Sequence, residues 1–340
     1  MTLPGDSPQH GRPRRRASRR ARLSRSIIVV VALSVVVVGA TWGWHSLRGH
    51  RTVTDSCQVI GQSTGTVYAM DPEQLLNASI IADLAMRRTL PQQAVIVAFA
   101  TALQESKLRN LTYGDRDSIG LFQQRPSQGW GTKEQILVPT YAAGKFYDAL
   151  LKVPSWQQLP VAEAAQHVQR SGFPDAYASW QPRATALAAA LTGTSAGQLS
   201  CRLAHPGIGP GTAASNATNP GSSSSGSVGA VTTPGAASAA IKTALADDLR
   251  ILSPALAPAG SKAVTVTISG LETTGAGDDA AAKHRTATVA AWAIAHAASR
   301  GITRVVVADQ EWRADRFGWH TVRGAAAAPA GTVRLTVSMS

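Results

Sequence analysis

Apolar residues between positions 66 and 201 recur every three or four positions, which is the spacing of an amphipathic helix. Leu76, Ile80 and Leu84 follow the sequence Asp71-Pro72-Glu73-Gln74, in which Asp suits the helix N-cap and Pro the first turn. The pattern predicts further helices over residues 91–105, 141–152, 161–170 and 182–191. No segment here shows the alternation of a strand, so an all-α domain is predicted over residues 66–201.

The helix over residues 91–105 is apolar on almost every face from Ala94 to Leu103, which indicates a buried helix. Its polar end carries Glu105, which lies one turn beyond Thr101 and shares that side of the helix. Burial and the partial negative charge of a helix C-terminus both raise the pKa of a carboxyl. A carboxyl that keeps its proton near neutral pH suits general acid catalysis. The alternative is a glutamate at an exposed helix end, and the helix alone does not decide between the two.

Two aspartates and a short polar and aromatic strip follow this helix. Asp115 or Asp117 would supply a second carboxylate, which positions water for hydrolysis, if its side chain returned to Glu105. The alternative is that both are turn residues, because Asp is common in turns for backbone reasons. That alternative is favoured for Asp115 and left open for Asp117. The strip Gly120-Leu121-Phe122-Gln123-Gln124 comes next, and Trp130 is a candidate for stacking on a sugar ring or for the core.

The last hundred residues have a different pattern. Apolar residues alternate with polar ones over residues 264–268 and 333–339, which predicts two strands. A helix over residues 286–299 and a third strand over residues 304–308 are predicted between them. The region 239–340 is therefore expected to form a small α+β domain.

Charge and composition divide the rest of the chain. Residues 1–26 contain eight arginines and one acidic residue, about half of the formal net charge of +13. The uncharged, valine-rich residues 27–44 predict a single-pass membrane anchor, and the preceding arginines place the N-terminus in the cytoplasm and the domains outside the cell. The basic tail is therefore assigned to the membrane and not to nucleic acid. A cleaved signal peptide is the alternative, and it also exports the remainder. Residues 45–65 and the Gly-, Ser- and Pro-rich residues 202–238 are expected to be linkers.

The only two cysteines, Cys57 and Cys201, lie at the two edges of the predicted helical domain. In an exported chain such a pair is expected to form a disulfide. Two unpaired buried thiols are the alternative. Neither cysteine has the spacing of a zinc site, so no metal is expected at them.

Gln104-Glu105-Ser106, followed by Ser118-Ile119-Gly120-Leu121-Phe122-Gln123, resembles the signature of the lytic transglycosylase (SLT) and goose-type lysozyme superfamily. Residues 120–132 and 168–174 also resemble lysozyme-like domains of actinobacterial cell-surface proteins. The resemblance implies a lysozyme-like helical fold, with Glu105 as the catalytic acid. It implies cleavage of the MurNAc-GlcNAc glycan strand of peptidoglycan without a cofactor. The predicted substrate-binding residues are Ser106, Asp117, Gly120, Leu121, Phe122, Gln123, Gln124, Trp130 and Gln166.

The chain departs from this family at one motif. The family often has Ala-Ala-Tyr-Asn, whereas this chain has Ala164-Ala165-Gln166-His167, so a tyrosine expected near the acid is missing. Glu105 and the strip that faces it favour an enzyme, and the missing tyrosine favours a non-catalytic peptidoglycan-binding or scaffold protein. Among enzymes, a lytic transglycosylase is predicted first, with a hydrolysing muramidase as the alternative.

The C-terminal region from Val289 onward faintly resembles the carboxy-terminal half of M15-type D-Ala-D-Ala peptidases, which carry a zinc motif on their final strand. Here the strand Thr332–Val337 has no histidine, and His284, His296 and His320 lack acidic or cysteine partners at ligand spacing. A metal-free module that binds the wall or a partner is therefore expected. The resulting prediction is a mainly α chain with a lysozyme-like helical domain and a small α+β domain, after one N-terminal membrane helix.

Overall fold

The computed structural model of the protein describes residues 54–171, 174–195, 197–204, 234–249, 263–271 and 279–338. Its helices are α1 Pro72–Arg87, α2 Gln92–Ser106, α3 Lys133–Ile136, α4 Pro139–Leu150, α5 Val161–Gln169, α6 Gln181–Leu191, α7 Pro234–Leu249, α8 Asp279–Ala295 and α9 Ala297–Arg300. Its strands are β1 Ser56–Ile60, β2 Val67–Met70, β3 Leu199–Arg202, β4 Ala263–Ile268, β5 Ile302–Val307, β6 Gln310–Arg313, β7 Trp319–Thr321 and β8 Val333–Ser338. Short 3₁₀ helices span Pro126–Gln128, Pro174–Trp180 and Gly324–Ala326.

The first two helices follow the sequence signals that predict them. Asp71 caps α1 by accepting a hydrogen bond from the backbone amide of Gln74 at 3.0 Å, and the side chain of Gln74 accepts one from the amide of Asp71 at 2.9 Å. Helix α2 is buried at every residue from Ala94 to Leu103 and packs against α1, α5 and α6. The prediction that this helix is buried is confirmed.

The predicted fold class, a mainly α chain, is wrong because the structure contains two antiparallel sheets. The first sheet has the strand order β2-β1-β3. Strands β2 and β3 lie at the two ends of the region that was predicted to be all helical, and β1 lies within the predicted linker 45–65. Cys57 on β1 lies directly opposite Cys201 on β3, and the two form the predicted disulfide. The strands are four or five residues long, and β3 lies about 140 residues from its partner β1, so local periodicity does not reveal the sheet.

The second sheet has the strand order β4-β8-β5-β6-β7 and is antiparallel throughout. The three predicted strands correspond to β4, β5 and β8, and β6 and β7 were not predicted. Helix α8 packs on β5 and β8 and buries Trp292 and Ile294 among apolar residues.

The two sheets are joined by hydrogen bonds from the C-terminal region to β3 and the residue that follows it. The indole nitrogen of Trp312 donates to the carbonyl of Cys201 at 3.1 Å, and that of Trp319 donates to the carbonyl of Leu199 at 3.0 Å. The amide of Leu203 also donates to the carbonyl of Ala314 at 2.6 Å. The described residues of the helical region and of the C-terminal region therefore belong to one compact unit.

The predicted tail 1–26 and membrane anchor 27–44 lie outside the described residues, as does most of the predicted linker 202–238. None of the helices in the described ranges combines the length and the apolar character that a membrane crossing requires.

Candidate active site

Helix α2 carries Glu105 to the edge of the core. The helix ends at Ser106, and Lys107 closes it in the left-handed conformation with φ 57°. Glu105 is half-buried in the last turn, next to residues whose side chains are fully enclosed.

Ser106 connects this helix end to the strip at residues 120–124. Its hydroxyl donates to the carbonyl of Leu121 at 2.7 Å and is 3.1 Å from the carbonyl of Ala102. Leu121 and Phe122 are fully buried, and Phe122 stacks on Phe146 with 4.6 Å between the ring centroids. Ser106, Leu121 and Phe122, which were predicted to bind substrate, are therefore all enclosed in the structure. They fix the wall that faces Glu105.

The other residues of the strip, Gly120, Gln123 and Gln124, are fixed by backbone conformation and by hydrogen bonds to backbone carbonyls. Gly120 has φ +77°, and a Cβ atom there would lie 3.0 Å from the carbonyl of Ile136, so glycine fits both the backbone and the space. Gln124 is buried, and its side-chain amide donates to the carbonyl of Ala142 at 3.1 Å, so it too supports the wall instead of facing a ligand. Gln123 is half-buried, and its amide nitrogen lies 3.3 Å from the carbonyls of Tyr113 and Gly120.

Sequence reasoning missed Tyr177, which is the closest polar partner of the candidate acid. Its hydroxyl donates to Oε1 of Glu105 at 2.7 Å, and its ring is fully buried. Tyr177 lies in the 3₁₀ helix Pro174–Trp180, about ten residues beyond the motif where a tyrosine was sought. The hydroxyl contact near the acid is thus supplied from another segment of the chain.

Gln169 is a second partner that the sequence did not identify. It hydrogen-bonds to Glu105, and its amide nitrogen donates to the carbonyl of Phe122 at 2.8 Å. It therefore links the end of α5 to both the carboxyl and the strip. Gln166, which was predicted to bind substrate, instead exchanges two hydrogen bonds with Ser171, at 2.7 and 3.0 Å.

The surroundings of Glu105 act on its pKa in opposite directions. Burial raises the pKa above the ordinary value and is the largest effect, as the sequence predicted. The hydrogen bonds from Tyr177 and Gln169 and the charge of Lys107 act against it, because each favours the carboxylate. Burial also raises the pKa of Tyr177, so its hydroxyl stays protonated and remains a donor. Burial therefore favours the neutral acid, and the two donors and the cation favour the carboxylate.

A cation and an aromatic ring border the site on the side of the helix end. The ammonium of Lys107 lies 4.2 Å from the centre of the Trp180 ring, and the indole nitrogen of Trp180 donates to Oε1 of Gln104 at 2.7 Å. Burial, with the nearby charge of Arg183, lowers the pKa of Lys107. Gln104 belongs to the motif in the sequence, whereas nothing in the sequence pattern identifies Trp180.

The side chains of Asp115 and Asp117 contact nearby residues of the loop that follows α2. Asp117 accepts from the Arg125 side chain at 2.7 Å and from the backbone amide of Ser127 at 2.8 Å, so both of its oxygens are engaged. These bonds hold the pKa of Asp117 well below its usual range. Asp115 is exposed, with Arg116 4.0 Å away. Burial, Tyr177, Gln169 and Lys107 set the pKa of Glu105, and no carboxylate among the described residues contributes.

A groove extends from Gln169 along α5 towards Trp130. Trp130 is half-buried and forms part of the wall, and its carbonyl accepts from the hydroxyl of Tyr141 at 3.3 Å. The basic side chains that line the groove are Lys145, Lys152, His167 and Arg170. Gln169, which hydrogen-bonds to Glu105, is the residue that the groove shares with the candidate site, and Glu105 itself is not among the residues that line the groove.

Comparison with known proteins finds no protein-family model and no curated protein that matches the chain. The function is therefore inferred from these residues and their geometry.

Proposed function

We propose that the chain cleaves the MurNAc-GlcNAc glycan strand of peptidoglycan, with Glu105 as the general acid and base. The observation that carries the proposal is the half-buried carboxyl of Glu105, which accepts the Tyr177 hydroxyl at 2.7 Å and has a raised pKa. Carboxyls with a perturbed pKa cluster at catalytic sites. The motif around Glu105 supports the same substrate.

The chemistry needs two proton transfers. Neutral Glu105 gives its proton to the glycosidic oxygen as the bond from that oxygen to the anomeric carbon breaks. The resulting carboxylate is stabilised by the donors of Tyr177 and Gln169, which already contact it. The carboxylate then removes the proton from the 6-hydroxyl of the muramic acid while that oxygen bonds to the anomeric carbon. The products are a 1,6-anhydro end and a free hydroxyl, and Glu105 is protonated again.

This route is favoured over hydrolysis because it needs one carboxyl. Glycosidases that use water employ a second carboxylate as the base or nucleophile. Asp117 is the candidate, but Arg125 and Ser127 occupy both of its oxygens. A muramidase therefore remains the second candidate within the same substrate class.

The remaining proposals concern location and partners. A chain anchored in the cell membrane by residues 27–44, with its domains facing the wall, would bring the groove to peptidoglycan. The basic residues of the groove suit the carboxylates that peptidoglycan carries on its peptide stems. The C-terminal sheet is proposed to be a module that binds the wall or a protein partner.

The test is digestion of purified sacculi by the full-length protein, followed by mass analysis of the products. The full chain is used because β3 is hydrogen-bonded to the C-terminal region. Anhydro-muropeptides are expected from the parent and should be lost in Glu105→Gln, which keeps the shape of the side chain but cannot donate its carboxyl proton. Glu163→Gln is the matched control, because Glu163 is an exposed glutamate on α5 that pairs with His167.

Each outcome separates the candidates. Reducing ends would indicate a muramidase, and the absence of any product would favour the non-catalytic binder. If the parent cleaves and Glu105→Gln keeps more than about a tenth of that activity, Glu105 is not the acid, because general acid catalysis is worth roughly 10²–10⁴ in rate.

A further inference from the structure

We propose that Asp83, Asp248 and His296 bind a divalent transition-metal ion, such as Zn²⁺, which ties helix α1 to the C-terminal helices. Asp83 lies on α1, Asp248 on α7, and His296 at the junction of α8 and α9. One ligand atom from each residue lies within 4.8 Å of the others. The site is separate from Glu105 and does not depend on the proposed function.

The spacing suits an ion better than a direct hydrogen bond. Nε2 of His296 is 3.8 Å from Oδ2 of Asp248, which is too long for a hydrogen bond. Two ligands that each bind Zn²⁺ at about 2.1 Å in a tetrahedral arrangement lie roughly 3.4 Å apart. This pair would have to close by about 0.4 Å to reach that geometry. The three ligand atoms, which lie within 4.8 Å of one another, would have to draw together around the ion.

The orientation of the imidazole also suits a ligand. Nδ1 of His296 is 2.9 Å from the carbonyl of Trp292, which can only accept, so Nδ1 carries the proton. Nε2 then presents its lone pair to the carboxylates, and this is the tautomer that binds metals. The ring is held in place by stacking on Trp292, with 4.6 Å between the centroids.

Both carboxylates are oriented by neighbouring donors. The hydroxyl of Ser79 donates to Asp83 at 3.0 Å, and the indole nitrogen of Trp292 donates to Asp248 at 3.0 Å. Such outer contacts are typical of metal ligands, because they fix the direction of the ligand atoms. Asp83 and His296 are each only 4% exposed.

Two arginines lie near the cluster without entering it. The guanidinium of Arg300 is 4.0 Å from Oδ2 of Asp248, and Arg87 on α1 donates to the carbonyl of Asp247 at 2.5 Å. Arg300 partly offsets the charge of Asp248, but it does not contact Asp83. The two carboxylates would neutralise a dication, and the three protein ligands would leave a further position for water.

Sequence spacing did not reveal this site because its ligands come from three separate elements. His296 was judged to lack acidic partners, and Asp83 belongs to the region that was predicted to be a separate domain. An isolated C-terminal segment would lack Asp83, so the test needs the whole chain.

The experiment measures zinc bound to untagged full-length protein that has been stripped with EDTA, exposed to Zn²⁺ and dialysed. We expect about one zinc ion per chain by elemental analysis and a higher melting temperature with zinc than without it. Asp83→Asn and His296→Gln should each weaken zinc binding by at least tenfold. Asp83→Asn is the sharper variant, because it keeps the size of the side chain and removes a buried carboxyl.

The matched control is His167→Gln, because His167 also lies near a carboxylate, with Nε2 3.9 Å from Glu163, but both groups are exposed. It should bind zinc as the parent does. Folding of each protein is checked by circular dichroism before zinc is added. A folded parent that retains no zinc overturns the proposal. So does an Asp83→Asn protein that retains as much zinc as the parent.

Discussion

Replacing Tyr177 with Phe removes one oxygen atom from the candidate site and nothing else. The Tyr177 hydroxyl donates to Glu105 at 2.7 Å, and the ring of Tyr177 is fully enclosed, so Phe fills the same space. The change therefore tests whether the carboxyl of Glu105 reacts, because the lost donor acts on that group. Removing the hydroxyl changes the stability of neutral Glu105 little, whereas the carboxylate form of Glu105 loses a charge-assisted hydrogen bond.

The size of the effect follows from that bond. A hydrogen bond to a charged group contributes about 1.5–3 kcal/mol. Each 1.4 kcal/mol of transition-state stabilisation is about tenfold in rate. If Glu105 becomes a carboxylate as the glycosidic bond breaks, Tyr177→Phe should lower kcat/KM by roughly 10- to 100-fold. Because Glu105 is only half-buried and Gln169 still contacts it, the lower part of that range is expected.

The same change has a predicted sign in the pH profile. The Tyr177 hydroxyl lowers the pKa of Glu105, so its removal raises that pKa further. Glu105 must be protonated to start the reaction, and a higher pKa keeps it protonated to a higher pH. The alkaline limb of the rate profile should therefore move to higher pH in the variant, while the maximum rate falls.

The assay is the initial rate of anhydro-muropeptide release from sacculi between pH 5 and 9. Tyr147→Phe is the matched control, because Tyr147 is equally enclosed and its hydroxyl donates at 3.1 Å to the carbonyl of Ile81 in the core. The control should lose about 0.5–1.5 kcal/mol of stability and keep its activity. If Tyr177→Phe has the rate and pH profile of the parent, the carboxyl that Tyr177 contacts is not the reacting group.

Two further predictions concern the disulfide and the loop. Replacing both Cys57 and Cys201 with Ala should lower the free energy of unfolding in urea by up to about 5 kcal/mol, since the bond closes a loop of 144 residues; a loss below about 1 kcal/mol would contradict the chain-entropy reasoning. Asp117→Asn should keep most of the activity on sacculi, because the Asp117 carboxylate is bound by Arg125 and Ser127 and is not needed for transglycosylation. A loss as large as that of Glu105→Gln would show that Asp117 acts as a second carboxylate.

The helices could be predicted because their signals are local. The capping sequence at Asp71–Gln74 and the apolar run Ala94–Leu103 each lie within one element, and both are present as predicted. Strands β1 and β3 were missed because each has only a few residues and finds its partner about 140 residues away. Their pairing depends on contacts between segments that are far apart in the sequence, and no window of neighbouring residues contains both segments.

In the candidate site, too, residues within one continuous motif could be identified from the sequence, and residues from distant segments could not. Glu105 could be proposed as a candidate from the sequence, because the helix that carries it and the motif around it are continuous in sequence. The burial of Leu121 and Phe122 could not be predicted, because the motif does not show which way its side chains point. Tyr177 and Gln169 were missed because they reach the carboxyl from segments more than sixty residues further along the chain.

The missing tyrosine was the main feature of the sequence that favoured a non-catalytic protein. The expected place is Ala164–His167, and Gln166 there bonds to Ser171 instead of approaching Glu105. Ser171 in turn hydrogen-bonds to Tyr177, whose hydroxyl reaches the carboxyl. What stabilises a carboxylate is a donor at bonding distance, and the position of that donor in the sequence is irrelevant to the chemistry. Because a tyrosine hydroxyl contacts Glu105 from another segment, the altered motif is no longer an argument against catalysis. The choice between an enzyme and a non-catalytic binder depends on whether the protein cleaves peptidoglycan and whether that cleavage requires Glu105.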